Sequence, residues 1–83
     1  MLLNQEIKEM IDQLHNIEVE YQDETTWILA LVGDDGTYSL ELNLYGDYVE
    51  AYIYEDGNEI QECCTDCEME LSGIIDDFDK MAE

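Results

Sequence analysis

The run from Tyr38 to Glu55, YSLELNLYGDYVEAYIYE, alternates apolar and polar residues along two arms separated by Gly46-Asp47. A period of two belongs to a strand with one face in a core, so this stretch demands a hairpin and, around it, a sheet. Leu40, Leu42 and Leu44 share one side of the first arm, and Val49, Ala51 and Ile53 one side of the second. Turning the second arm over would bury Glu50 without a partner, which is costly. Tyr48, Glu50, Tyr52 and Tyr54 are therefore expected to look outward. The working surface expected of this chain is an acidic, tyrosine-bearing sheet face.

Loop lengths then set the register. A two-residue loop at Gly46-Asp47, of type II′ composition, pairs Leu44 with Val49, Leu42 with Ala51 and Leu40 with Ile53. It also places Asn43 opposite Glu50 and Glu41 opposite Tyr52. Asp34-Asp35, between Gly33 and Gly36, reads as a tight hairpin connection, which pairs Leu31 with Tyr38, Leu29 with Leu40 and Trp27 with Leu42. A three-residue loop from Asp23 to Thr25 pairs Tyr21 with Trp27 and Val19 with Leu29. All three hairpins gather apolar residues on one face, and a one-residue slip would destroy that agreement.

Ile17 to Gln22 reads as a half-buried strand. Thr26 to Val32 is apolar on both faces, which suits a central strand covered on both sides, or on one side with the other left sticky. Asp56-Gly57 has type I′ composition and leads into a short edge strand, Glu59 to Glu62.

The two ends are helical. Asn4 is placed to cap a helix running to about His15, with Ile7, Met10, Ile11 and Leu14 as its apolar stripe and Leu3 just before. Thr65 and Glu68, in T-D-C-E, form a capping-box pattern opening a second helix whose stripe is Leu71, Ile74, Ile75, Phe78 and Met81. Gly73 weakens it. The fold expected is α+β: residues 1–83 form one domain, a four-stranded antiparallel meander with a fifth edge strand. N- and C-terminal helices flank the sheet, in the order α-β-β-β-β-(β)-α. Both helices can pack on one face or take one face each, and a second helix over the tyrosines would make them core.

Twenty-three Asp and Glu stand against Lys8 and Lys80, with no Arg, for a formal charge of −21. Such a surface repels nucleic acid and anionic membrane and attracts basic protein surfaces. It also repels itself, so added salt should stabilise the fold. The start, MLLNQEIKEM, lacks the basic and apolar regions of a secretion signal, and no apolar run approaches the ~20 residues of a membrane span. Three cysteines without such a signal point to a reducing, cytoplasmic setting.

Cys63, Cys64 and Cys67 contain one pair at zinc-knuckle spacing, and further ligands would have to come from His15 or a carboxylate. The plainer expectation is that Cys64 or Cys67 packs as a small apolar residue at the helix start, with Cys63 exposed and open to intermolecular disulfide formation. Carboxylate pairs abound, but no calcium-loop pattern occurs, and acid–base catalysis needs a cleft that sets one carboxyl apart from another. His15, expected at a helix end, reads as structural. Neither enzymatic activity nor a cofactor or metal is expected.

EVEYQDE at Glu18 to Glu24, YVEAYIYEDGNE at Tyr48 to Glu59 and the near-absence of bases resemble the small acidic inhibitors that imitate nucleic acid, among them phage anti-CRISPR and anti-restriction proteins. The resemblance is one of character and contains no specific motif. It implies an inhibitor, a monomer or weak dimer, that competes with DNA or RNA for a Lys/Arg-rich site on a nucleic-acid-binding protein. The residues expected to meet that partner are Glu18, Glu20, Glu41, Glu50, Tyr52, Tyr54, Glu55 and Asp56. An immunity protein for a basic nuclease toxin, and a small structural or zinc-binding module built on the cysteines, are the alternatives.

Overall fold

A computed structural model describes residues 4–82; Leu3 lies outside the described residues. The elements are α1 (Asn4–Asp12), β1 (Ile17–Gln22), β2 (Thr26–Leu31), β3 (Tyr38–Tyr45), β4 (Tyr48–Glu55), β5 (Asn58–Thr65) and α2 (Glu68–Lys80). The strands form one antiparallel sheet in chain order, an open meander flanked by the two helices.

Both helices cover the same face. Ile7 and Ile11 of α1 and Leu71, Ile74, Ile75 and Phe78 of α2 join Trp27, Leu29, Leu31, Leu40, Leu42, Val49, Ala51 and Ile53 in one buried cluster. Full burial of a side chain such as Phe78 or Leu29 contributes about 1.5–3 kcal/mol. The opposite face carries no helix, so the tyrosines of β4 are not core.

The central register follows the alternation of the sequence. Leu44 pairs with Val49, Leu42 with Ala51, Leu40 with Ile53, Asn43 with Glu50 and Glu41 with Tyr52. Trp27 pairs with Leu42 and Leu29 with Leu40. The β2–β3 connection is wider than a two-residue turn, running from Val32 to Thr37, with Gly33 and Gly36 at positive φ. Asp56 and Gly57 both take positive φ, as a type I′ turn requires. Gly46 does not, so the β3–β4 turn is not of the II′ type its composition suggested.

The edges depart most from expectation. In β1 Val19 pairs with Leu29, but Tyr21 pairs with Ile28 rather than Trp27, because a bulge lies between Val19 and Tyr21. The bulge shifts the pattern by one and turns Tyr21 to the helix-free side. Only Ile17 of this strand is buried; Val19 is 45% and Tyr21 50% exposed, so the strand is not half-buried. Asp23 anchors the distortion. Its carboxylate accepts from Tyr21 Oη at 2.7 Å, Thr25 N at 2.9 Å and Thr26 N at 2.8 Å. These bonds hold its pKa below the ordinary value, the tyrosine contributing most. In β5, longer than expected, a second bulge separates the Ile53–Gln61 and Tyr54–Glu59 pairs, leaving Ile60 unpaired and exposed.

The helix ends also differ. Asn4 is the first residue of α1 rather than its cap, and its side chain bonds to the sheet instead. The helix stops at Asp12, so His15 lies in the following bend, while Leu14 still packs on the core. No capping box forms at α2, whose N-cap is Cys67 without a side-chain hydrogen bond. Thr65 ends β5 buried, and its Oγ1 accepts from Cys67 N at 3.0 Å, shaping the strand-to-helix turn.

Candidate partner-binding face

Strand pairing resolves the helix-free face into cross-strand rows, since directly paired residues of an antiparallel ladder project to the same side. One row runs Glu18, Ala30, Ser39, Tyr54, Glu59. The next runs Tyr21, Ile28, Glu41, Tyr52, Glu62. A third contains Thr26, Asn43, Glu50 and Cys64, and beyond it Tyr45 pairs with Tyr48 at the turn. Rows lie about 7 Å apart and strands about 4.8 Å apart, so Glu41, Glu50 and Glu62 are spread over the face rather than paired in a cleft.

Neutral donors hold Glu41 and Glu50. Asn43 Nδ2 donates to Glu41 Oε2 at 2.9 Å, and Thr26 Oγ1 donates to Asn43 Oδ1 at 3.3 Å. Glu50 lies between Tyr45 and Tyr52. Hydrogen bonding toward Glu50 is the main reason the Tyr45 pKa is raised. Tyr52 is pushed up to about 12 by desolvation first, then by its hydrogen bond to Glu50 and the charges of Glu50, Glu62 and Glu59. Tyr54 is raised by desolvation and by Glu41 and Glu59. The Tyr45 and Tyr48 rings stack with centroids 5.1 Å apart, and those of Tyr52 and Tyr54 are tilted at 6.4 Å.

Both lysines of the chain are elsewhere. Lys8 pairs with Asp12 on α1 and Lys80 with Asp76 on α2, each at 2.9 Å. The sheet face is left with carboxylates and no base. At 33 × 25 × 22 Å the molecule carries a formal −21, against about 19 phosphate charges on 33 Å of duplex. The two densities match.

Of the residues expected to meet a partner, Glu18, Glu41, Glu50, Tyr52 and Tyr54 come together on this face. Glu20 is the residue skipped at the β1 bulge. Glu55 pairs with Tyr38 and falls on the helix side of the sheet, while Asp56 sits in the β4–β5 turn. The sequence reading missed Tyr21, Tyr45, Glu59 and Glu62 as members. Extending the register to β5 would have found the two glutamates; the β1 bulge hid Tyr21.

The cysteines do not converge. Cys63 pairs with Ala51 on the helix side and packs on the core, whereas Cys64 pairs with Glu50 on the open side. The half-buried thiol is thus Cys63, and Cys64 and Cys67 are the exposed ones. Burial, and next the charge of Glu70, raise the Cys63 pKa. Among the described residues no group of three or more His, Cys, Asp or Glu is arranged to hold a metal ion, and no helix is long and apolar enough to cross a membrane. Comparison with protein-family models, curated proteins and solved structures found no match to this chain.

Proposed function

We propose that this protein is an inhibitor that occupies a Lys/Arg-lined nucleic-acid site on a host defence effector of the CRISPR or restriction type, using its helix-free sheet face. One observation supports this reading above the rest. Both helices pack on one side of the sheet, leaving Glu18, Glu41, Glu50, Glu59 and Glu62 among tyrosines with no base on that face. Glu41, held by the Asn43 amide, and Glu50, held by the Tyr45 and Tyr52 hydroxyls, keep their attraction for an incoming cation, which internal ion pairs would weaken. They take the place of phosphates, and the tyrosines supply rigid contact area and ring faces for guanidinium groups. Long-range attraction speeds encounter with a basic cleft.

The test is competition. Captured at low salt from a host lysate, the partner should be a basic nucleic-acid-binding protein, released either by added salt or by duplex DNA or RNA. A Glu41→Lys/Glu50→Lys variant should lose affinity and association rate together, by at least about tenfold, since every 1.4 kcal/mol is tenfold. Unchanged affinity would remove this face as the site.

A further inference from the structure

We propose that Tyr45, Tyr48 and Glu50, at the β3–β4 turn end of the helix-free face, form a subsite that takes an arginine side chain of the partner in preference to a lysine. The inference rests on the reading of that face as the partner-binding surface and narrows the chemistry of its target. Tyr45 and Tyr48 pair directly across the hairpin, and their rings stack with centroids 5.1 Å apart. They are nonetheless 46% and 40% exposed, whereas Tyr52 and Tyr54 are half-buried. Stacking covers one face of each ring and leaves the other to an incoming group. The Tyr45 hydroxyl also donates to Glu50, and Tyr52 donates to the same carboxylate. A carboxylate has about four acceptor positions, so two hydroxyls leave about two for a fork of donors.

Ring and carboxylate together select the cation. A guanidinium is planar and weakly hydrated, and it gives two parallel N–H bonds to a carboxylate or lies flat against a tyrosine ring. An ammonium is a strongly hydrated point charge, and an open sheet surface does not strip its water. Because the Tyr45 hydroxyl touches Glu50, ring and acceptor sit side by side, and Glu41 places a second negative charge near that hydroxyl. Lys8 and Lys80 are held on the helices, so among the described residues no base competes on this face. The chain contains no arginine, so a second copy cannot fill the subsite. The occupant is an arginine of a different protein, one that grips phosphate by paired N–H bonds, with Glu50 standing where the phosphate would.

The test uses the intact protein and two peptides of equal length and charge, in which arginine or lysine alternates with glycine. The arginine peptide should bind about threefold or more tightly than the lysine peptide, the size of effect that one exposed cation–π contact gives. Tyr45→Leu/Tyr48→Leu keeps every carboxylate and should bring the two affinities together, with the fluorescence of buried Trp27 reporting that the fold is intact. In the wild type, NMR should show NOEs from the arginine Cδ protons to the rings of Tyr45 and Tyr48, a readout that needs no variant. Equal affinity of the wild type for the two peptides, an arginine preference that survives in the double leucine variant, or NOEs confined to other residues would overturn the proposal. None of these outcomes touches the wider reading, which fails if Glu41→Lys/Glu50→Lys keeps its affinity for the partner captured from the lysate.

Discussion

Asn4 and Trp27 are joined side chain to side chain: the indole Nε1–H donates to Asn4 Oδ1 at 2.8 Å. Asn4 Nδ2 in turn donates to Glu24 O at 3.2 Å, so one residue ties the first turn of α1 to both β2 and the turn before it. Trp27 is buried, and an indole N–H left without an acceptor there costs about 1–3 kcal/mol. Asn4→Ala should lower the urea midpoint accordingly and shift the fluorescence of Trp27, the chain's one tryptophan. Asn4→Asp keeps an acceptor and should cost less.

Among the described residues the formal −21 is opposed by the exposed i,i+4 ion pairs Lys8–Asp12 and Lys80–Asp76, and pairs of that kind contribute about 0.3–0.5 kcal/mol each. Self-repulsion therefore dominates the electrostatics of folding and is screened by salt. The thermal midpoint should rise between 20 mM and 500 mM NaCl. A flat or falling series would contradict this.

Tyr52 ionises at about 12 in the folded protein against 10 as a free side chain. Between those values the unfolded chain releases a proton that the native state keeps, so stability is full below pH 10 and declines toward pH 12. Tyr52→Phe should flatten that part of the stability–pH curve relative to wild type. Ultraviolet titration of the tyrosinate band should lose its most alkaline component in the same variant.

Gly73 sits inside α2, where a Cβ meets no atom within 4 Å and no positive φ is needed. Alanine is favoured over glycine in a helix interior by about 1 kcal/mol. Gly73→Ala should raise the unfolding free energy by about that amount, read from the urea midpoint at constant m-value.

The central hairpins were legible because each apolar residue from Leu40 to Ile53 has a partner of its own kind, and only one register satisfies them all. The same arithmetic failed for Tyr21, where competing local bonds decide. Asp23 collects the Tyr21 hydroxyl and two backbone N–H groups, and the strand bulges to supply them. The Thr65 hydroxyl was misread in the same way: a capping-box pattern is equally a strand-to-helix turn when β5 runs on to Thr65. Which sheet face the helices cover was not readable either. Ile28 and Ala30 make β2 apolar on both sides, and a helical stripe says that a face is buried without saying against what. Glu18, Glu41 and Glu50 were placed correctly because strand parity fixes them; the same parity puts Glu55 on the face of Val49, Ala51 and Ile53, opposite Tyr38, and the register had only to be carried to the end of β4 to show it.

Confinement of Lys8 and Lys80 to the helix layer also makes the molecule chemically one-sided. Reagents that seek side-chain amines will mark or tether it only through the helices. A surface loaded by lysine coupling would then display the tyrosines and carboxylates of the sheet outward, in a single orientation, to whatever flows past.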